Sequence, residues 1–247
     1  MDNFWNWFCK FCLFAFILIC INSMVGDLIF NAKYSFPNVS ETTNTVIDPS
    51  IEPIQKILEN QKFINASGEK DKYSLQLMAN YSLSGMVVAK NDNFWFRDIM
   101  RNTFDDIALL DLGIVWGDLA YNKELLYEFI NFKSKKTLGQ ARTLHYRWKA
   151  GVPWDAQYIT SHVSHTHIIP ANYNIMGGLL KIKKNDIVKI DGFLVDIYTV
   201  NNQIVARTSL SRTDNNATSR GKNGRNAGGA CEIMYVTSLQ IGDKIYR

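Results

Sequence analysis

The sequence predicts an α+β protein that is mainly β, with one strongly bent antiparallel sheet or small barrel and one or two helices. A single transmembrane helix and a tether are expected to precede this domain. Two patterns predict the sheet: apolar and polar residues alternate over residues 73–83, and short apolar segments joined by tight turns fill the C-terminal half. One apolar run near the N-terminus predicts the transmembrane helix.

Length and composition limit the class of protein. The chain has 247 residues, of which 47% are hydrophobic and 20% are charged, so a folded core is expected and disorder throughout is excluded. The first quarter differs in composition from the rest, which favours one domain of roughly 170 to 180 residues. A net charge of +4 is too small to imply a general nucleic-acid-binding surface, and nucleic acid is not expected as a partner.

The four cysteines are unevenly distributed. Cys9, Cys12 and Cys20 fall in the apolar N-terminal segment, and Cys231 is the only cysteine of the predicted domain. A disulfide within the domain and a cysteine-rich zinc site are therefore both excluded.

Residues 1–26 are predicted to form a transmembrane anchor. A helix of about 22 residues spans the ~30 Å hydrocarbon core of a bilayer. Trp5 and Trp7 suit the headgroup level, and Lys10 can extend toward the same side. A cleaved signal peptide with its apolar core over residues 11–21 is the alternative. Lys10 and the free amino terminus favour a cytoplasmic N-terminus, which places the main domain outside the cytoplasm, in the periplasm if the cell is Gram-negative.

Residues 27–72 are interpreted as a polar tether, because polar residues replace apolar ones there and three prolines interrupt regular structure. A short helix is expected near residues 50–58, where apolar residues follow helical spacing. The globular β-rich domain then spans residues 73–247.

Four aspartates surround a predicted buried strand at residues 109–116: Asp105, Asp106, Asp111 and Asp118. A metal site or an acid–base pair is one interpretation of so many carboxylates. We favour a structural role, in which Asp106 and Asp111 cap elements or turns and Asp118 caps the next element, because aspartate is common at such positions.

Three of the four histidines lie in one short segment: His162, His165 and His167. In an extended strand His165 and His167 point to the same face, where neutral imidazoles can share a metal ion with a carboxylate from elsewhere. We favour structural, hydrogen-bonded histidines. Two alternatives stay open, a metal site and a histidine that acts as a general base.

A polar block at residues 207–232 separates two apolar, strand-like segments. Its two ends carry the charged and polar residues Arg207, Ser209, Arg212, Asp214 and Glu232. Their spacing predicts a binding or structural clasp, in which the arginines face the two carboxylates. The middle of the block, residues 215–226, is predicted to be a basic, mobile loop. A ligand would bind between this clasp and the histidines.

Several of these motifs resemble a family of uncharacterised bacterial proteins that carry an N-terminal membrane segment. The matching motifs are Arg207-Thr-Ser209-x-x-Arg212-Thr-Asp214, Gly229-Ala230-Cys231-Glu232, Asp111-Leu-x-x-Val115-Trp116-Gly117 and His167-Ile-Ile. The resemblance covers the chain from about residue 73 onward, and it is interrupted by a long insert rich in Asn, Gly and Arg after Asp214. It implies a membrane-anchored protein, and it brings no assigned activity.

The leading functional expectation is a non-enzymatic binding or assembly module of the cell envelope, attached to the membrane by its N-terminal helix and bound to an envelope protein. The anchor, the tether and the lack of a complete catalytic motif favour it, and no cofactor is expected. One alternative is a cysteine-dependent hydrolase, with Cys231 as nucleophile and His165 or His167 as base. The other is a metal-binding domain that uses His162, His165 and His167.

Overall fold

The computed structural model describes residues 8–18, 20, 21, 24, 25, 39–91, 102–136, 142–210 and 231–247. Residues 8–18 form helix α1, and residues 20, 21, 24 and 25 are helical as well. Among the described residues, no helix combines the length and the apolar character that crossing a membrane requires. The expected anchor spans residues 1–26, of which several lie outside the described ranges, and it stays a prediction.

Within the described ranges, nine strands form one sheet and two more form a separate hairpin. The sheet contains β1 (Glu41–Thr42), β2 (Ile54–Ser67), β3 (Lys72–Asn91), β4 (Leu110–Val115), β7 (Val163–Pro170), β8 (Ile187–Thr199), β9 (Ile204–Ala206), β10 (Cys231–Ile241) and β11 (Lys244–Tyr246). The hairpin consists of β5 (Ile130–Lys136) and β6 (Arg142–Trp148). The prediction of a mainly β protein is confirmed.

In the part of the chain that the structure describes, five helices accompany the strands: α2 (Thr103–Ile107), α3 (Asp118–Tyr121), α4 (Lys123–Phe129), α5 (Ala156–Ser161) and α6 (Tyr173–Lys181). The expectation of one or two helices is therefore too low. Four of the five are at most seven residues long. Such short helices complete too few turns to show a clear helical period in the sequence.

Five strands of the sheet close into a ring. β10 pairs with β7, β7 with β4, β4 with β3, β3 with β8, and β8 pairs again with β10. All of these pairs are antiparallel except β7 and β10, which run parallel, so the prediction of a purely antiparallel sheet is wrong there. The parallel pair arises because the chain passes from β7 to β10 through α6, β8 and β9, and not through a hairpin.

β3 is the long strand that the alternating pattern predicts. Its alternate residues are buried: Tyr73, Leu75, Leu77, Ala79, Tyr81 and Leu83. Residues 86–88 are buried on both faces, as their continuous apolar run indicates. β3 has a partner strand on each side, β8 on one and β2 followed by β4 on the other, and it therefore positions β4 within the ring.

The region before β3 contains a strand where the sequence predicts a tether with a helix. β2 pairs with β3 from Ile54 opposite Ser82 to Ser67 opposite Lys72. The expected helix near residues 50–58 is therefore wrong. The register of β2 shifts between Ile57 and Lys62, and this irregularity interrupts the two-residue period by which a strand is recognised.

Residues 39–53 also contact the domain. The backbone N–H of Gly117 donates to the carbonyl oxygen of Pro49 at 2.9 Å. The amide Nε2 of Gln240 donates to the carbonyl oxygen of Thr45 at 2.7 Å. The folded domain consequently begins well before residue 73, and it includes residues 39–53.

The ring encloses an apolar core, to which β4 contributes Leu112 and Ile114 and β10 contributes Met234. Helix α6 packs against this core through Ile175 and Leu179. Because side chains alternate along a strand, the residues between these inward positions on β4, β7 and β10 face outward.

Two further apolar clusters lie on the outer side of the ring. One includes Val163 of β7 and Leu144 of the hairpin. The other includes Ile169 of β7 and Ile233 of β10, and α2 contributes to it. Leu144 packs so closely on β4 that a Cβ atom added to Gly113 would lie 3.0 Å from its methyl carbons. The hairpin and α2 thus cover the outer face of the strands that carry the histidines.

Candidate functional site

Strand register brings together side chains that are far apart in the sequence. In the parallel pair of β7 and β10, His165 lies opposite Cys231. In the antiparallel pair of β4 and β7, His167 lies opposite Asp111. The two histidines are two residues apart on β7, so they share its outer face, and their ring centroids are 4.6 Å apart. Four polar side chains therefore meet between the two outer apolar clusters.

Cys231 and His165 are in direct contact. Nδ1 of His165 lies 3.1 Å from Sγ of Cys231. His165 is buried, and its Nε2 has no hydrogen-bond partner among the described residues. An unsatisfied buried nitrogen is costly, so hydrogen bonding alone does not account for the burial of this histidine.

Asp111 fixes the orientation of His167. Oδ1 of Asp111 lies 2.7 Å from Nδ1 of His167, and Asp111 is only 1% exposed. A carboxylate at this distance accepts the proton of Nδ1 and leaves the lone pair of Nε2 available to a ligand. Phe104 of α2 packs edge-on against the same imidazole, with ring centroids 4.9 Å apart. The imidazole of His167 is thus held on two sides.

Arg142 of the hairpin extends into this cluster, with its side chain 2% exposed. Its Nε lies 3.1 Å from Oδ2 of Asp111 and 3.4 Å from Oδ1 of Asp105. The angles are poor for hydrogen bonding, since Nε and Nη2 of Arg142 and Oδ2 of Asp111 have no hydrogen-bond partner among the described residues. Charge attraction therefore dominates this contact, and the bidentate geometry that makes such pairs strong is absent from it.

Burial and neighbouring charges set the protonation states of the site. Burial lowers the pKa of His165 to about 3, so that its ring is neutral at pH 7. Burial also raises the pKa of the Cys231 thiol to about 12. Burial disfavours the ionised form of Asp111, yet the neighbouring His167 and Arg142 keep the pKa of this carboxyl below its usual range. The site therefore combines a thiol and a neutral imidazole with an ionised aspartate.

His162 does not belong to this cluster. It follows α5 directly, and its Nε2 lies 3.0 Å from Oε1 of Glu52. Its ring stacks on Tyr158, with centroids 3.8 Å apart. The hypothesis that all three histidines hold one metal ion is therefore wrong for His162, because this residue precedes β7 and pairs with the segment before β2 instead.

The predicted clasp is only partly covered by the described residues. Arg212 and Asp214 lie outside them, as does the expected mobile loop at residues 215–226. Arg207 is largely exposed, and its Nε lies 3.9 Å from Oδ2 of Asp196. The sequence does not mark Asp196 as part of the clasp, because its place opposite Arg207 depends on the pairing of β8 with β9.

The remaining residues of the clasp lie around the start of β10. The backbone N–H of Ser209 donates to the carbonyl oxygen of Cys231 at 3.2 Å. Glu232 is buried, and its Oε2 accepts a hydrogen bond of 2.8 Å from Oγ of Ser164. Cys231 and Glu232 are consecutive on a strand, so they point to opposite faces. Only Cys231 faces the histidines.

Two residues of the cluster could not be assigned to it from the sequence. The capping role expected for Asp111 is wrong, because this residue lies inside β4 and contacts His167. Its signal is a charged residue within an apolar strand, which needs a partner when it is buried. Arg142 stands in a mixed aromatic and basic stretch, and no local pattern marks it as the partner of Asp111.

The functional interpretation consequently rests on the arrangement of two imidazoles, a thiol, a carboxylate and a guanidinium around neighbouring strands. Comparisons with protein-family models, with curated protein sequences and with solved structures find no match to this chain.

Proposed function

We propose that this chain is a membrane-attached domain that binds one transition-metal ion, zinc in the first instance, through His165, His167 and Cys231. One observation carries the proposal: a ligand atom from each of the three residues lies within 4.8 Å of the other two. Two of the residues belong to β7 and the third to its neighbour β10, so backbone hydrogen bonds between the strands fix their spacing.

Small side-chain rotations separate this arrangement from a tetrahedral zinc site. Zn–N bonds of ~2.0–2.1 Å and Zn–S bonds of ~2.3 Å place neighbouring ligand atoms about 3.3 to 3.8 Å apart. Nδ1 of His165 and Sγ of Cys231 are already 3.1 Å apart. His167 offers a ligand atom within 4.8 Å of one from each of the other two residues, so a shift of about 1 to 1.5 Å brings it into range.

The surroundings of the three residues also favour a metal ion. A carboxylate behind a histidine, as Asp111 lies behind His167, is the usual support of a metal-binding imidazole. A divalent cation would also stabilise the thiolate of Cys231 in an environment where the free thiol keeps its proton. Three protein ligands leave the fourth tetrahedral position open, which is typical of reactive zinc sites and differs from closed structural ones.

The test is metal loading of the purified full chain with Zn²⁺ and with Co²⁺. The Co²⁺ form reports a thiolate ligand by a charge-transfer band. We expect one ion per chain and a thiolate band, with Cys231→Ser losing the band and His167→Ala losing most of the affinity. His162→Ala is the matched control, because it removes a histidine of the same segment that pairs with Glu52. Wild-type metal content in both Cys231→Ser and His167→Ala would refute the proposal.

Thiol chemistry is the second candidate, and the contact of 3.1 Å between His165 and Cys231 favours it. The raised pKa of the thiol and the lowered pKa of the imidazole oppose it, since both disfavour a thiolate–imidazolium pair. Alkylation of the metal-free chain by iodoacetamide at pH 7 separates the two candidates. Rapid alkylation that His165→Ala slows would support a nucleophilic cysteine, and slow alkylation would leave the metal site as the better proposal.

For the N-terminal segment the proposal is attachment to a membrane, with the domain outside the cytoplasm and an envelope protein as its partner. In support, α1 exposes large apolar side chains: Leu13, Phe14 and Phe16 are 59%, 60% and 62% exposed. Such a surface is stable when lipid or another protein covers it. Resistance of the full chain to carbonate extraction from membranes tests the attachment. Labelling of an engineered surface cysteine by an impermeant reagent in intact cells tests the orientation.

A further inference from the structure

The hairpin of β5 and β6 has one apolar face and one cationic face. Its register places Lys133 opposite His145 and Asn131 opposite Arg147. These four residues, here called the cationic face, are exposed to solvent on one side of the hairpin. On the other side of the hairpin the neighbouring residues Phe132 and Leu144 are buried in an outer apolar cluster. The apolar face thus anchors the hairpin on the domain, and the cationic face is exposed to solvent.

The charge of this region is one-sided. Residues 130–154 contain six Lys or Arg residues and no Asp or Glu. The other 21 basic residues of the chain are outnumbered by its 23 acidic residues, so the net positive charge arises from the hairpin region. Of the six, Arg142 points into the buried cluster and pairs with Asp105 and Asp111. Lys133, Arg147 and Lys149 remain exposed.

A shallow pocket lies on this hairpin. It has a volume of about 240 Å³ and is lined by Asn131, Lys133, His145, Tyr146 and Arg147. Two permanent cations, an imidazole and an amide around one concavity are complementary to a phosphate group, which accepts several hydrogen bonds and carries negative charge. No carboxylate of the described residues forms an ion pair with Lys133 or Arg147 to compete for these donors.

We infer that the cationic face is a docking surface for anionic phospholipid headgroups, so that the domain lies against an acidic membrane. Trp148 at the end of β6 is 40% exposed and stacks against Tyr146 with ring centroids 6.2 Å apart. An exposed tryptophan beside basic residues suits the bilayer interface, where indole rings and cations both lie. This inference does not depend on the metal site.

A membrane fits these observations better than a single-stranded nucleic acid does. Nucleic-acid surfaces stack successive bases on aromatic rings that stand on the same face as the cations. Here Phe132 is buried in the apolar cluster on the other side of the hairpin. Tyr146 packs against that cluster and contributes only part of its surface to the pocket, and Trp148 lies at the end of the hairpin. The exposed apolar residues of α1 supply a second, independent affinity for lipid, which would hold the hairpin near a bilayer.

The experiment measures flotation of the full chain with vesicles of phosphatidylcholine and with vesicles that contain one part phosphatidylglycerol in three. We expect tighter binding to the anionic vesicles and its loss in high salt. Lys133→Gln with Arg147→Gln should weaken anionic-vesicle binding roughly 10- to 30-fold, since each basic residue near such a surface contributes about fivefold. Lys56→Gln with Lys62→Gln on β2 is the control, because it removes the same charge elsewhere and should have little effect.

A second measurement is needed if α1 binds neutral vesicles so tightly that flotation saturates. Hydrogen exchange of the β5 and β6 amides is then compared in neutral and anionic nanodiscs, and slower exchange in the anionic discs alone supports the inference. Equal exchange in both discs, or equal weakening by the control pair in flotation, overturns it. Binding of single-stranded RNA that the Lys133 and Arg147 substitutions abolish, with vesicle binding unchanged, would also overturn it.

Discussion

Nδ1 of His167 lies 2.7 Å from Oδ1 of Asp111, and both side chains are buried on the outer face of the ring. The contact joins two neighbouring strands, because His167 on β7 is the register partner of Asp111 on β4. The same imidazole offers a ligand atom within 4.8 Å of one from Cys231 and one from His165. Asp111 therefore connects the hairpin's Arg142 to the ligand set and orients one of the proposed ligands.

Asp111→Asn should weaken Zn²⁺ binding about 10- to 100-fold, the usual cost of losing a carboxylate behind a metal-binding histidine. The amide keeps the size of the side chain but no longer holds the proton on Nδ1 by charge. Competition with a chromophoric chelator gives the dissociation constant. Asp105→Asn is the matched control, since it removes the other carboxylate beside Arg142 without touching a proposed ligand. Equal losses in both variants would show that Arg142 is responsible and His167 is not.

The sequence predicts that His165 and His167 share a face, because a period of two is a local property of a strand. It does not predict which residues stand opposite them. Asp111 and Cys231 reach the histidines through the pairing of β7 with β4 and with β10, which are separated from it by long stretches of chain. Register of this kind depends on the whole sheet, so the thiol and the carboxylate could be recognised only as separate candidates.

The same difference between a local pattern and long-range pairing explains which strands the sequence predicts. β3 follows a regular alternation and is predicted correctly over residues 73–83, whereas β2 is interrupted by a register shift and resembles a helix. The ring itself depends on β8 pairing with both β3 and β10. A single sequence predicts that a sheet bends, and the identity of the strands that close it follows only from the structure.

Gly192 lies where β8 runs between β3 and β10, opposite Tyr81 on one side and Val236 on the other. A Cβ atom at this position would lie 2.0 Å from the backbone oxygen of Tyr235, so Gly192→Ala must separate two strands of the ring. We expect a loss of about 2–3 kcal/mol in the free energy of unfolding, measured by urea denaturation. The control is Gly242→Ala, which has a φ of +58° but open space around the added carbon, and should cost about 1 kcal/mol. Equal costs would mean that β8 can shift.

Asp196 provides a pH-dependent test of the β8–β9 region. Burial raises the pKa of this carboxyl, although the backbone N–H of Thr208 and the charge of Arg207 act in the opposite direction. A pKa that is higher in the folded than in the unfolded state favours folding of the protonated form, so this contribution is lost as pH rises through the folded pKa. Asp196→Asn should therefore be at least as stable as wild type at pH 7. Any gain in the free energy of unfolding should be less than about 1 kcal/mol, because the Arg207 partner is exposed.

The difference between wild type and Asp196→Asn should disappear near pH 3, where the aspartate is protonated in both states. Urea denaturation of both proteins at pH 3, 5 and 7 measures it, and other titrating groups cancel in the comparison. A variant that is clearly less stable at pH 7 would show that the Thr208 and Arg207 contacts outweigh burial.

The corrected domain boundary predicts how truncated chains behave. A chain that begins at Val39 keeps β1, β2 and the contacts of residues 39–53, and it should melt cooperatively at the midpoint of the full chain. A chain that begins at Tyr73 loses β2, whose ten register pairs cover one edge of β3. It exposes that edge, together with Leu75 and its neighbours in the outer cluster that Leu58, Ile64 and Ala66 now complete. We expect aggregation or the loss of a cooperative transition, because long unpaired edges associate readily.

A third chain that begins at Ile54 separates the two contributions of the removed segment. It keeps β2 but lacks Pro49 and Glu52, which contact Gly117 and His162. If the strand is what the domain needs, this chain should stay soluble and melt a few degrees below the chain that begins at Val39. Circular dichroism during heating measures the midpoints, and light scattering at constant temperature reports aggregation. A chain from Tyr73 that melts at the full-length midpoint would restore the boundary near residue 73. It would show that the pairing of β2 with β3 adds little to the stability of the domain.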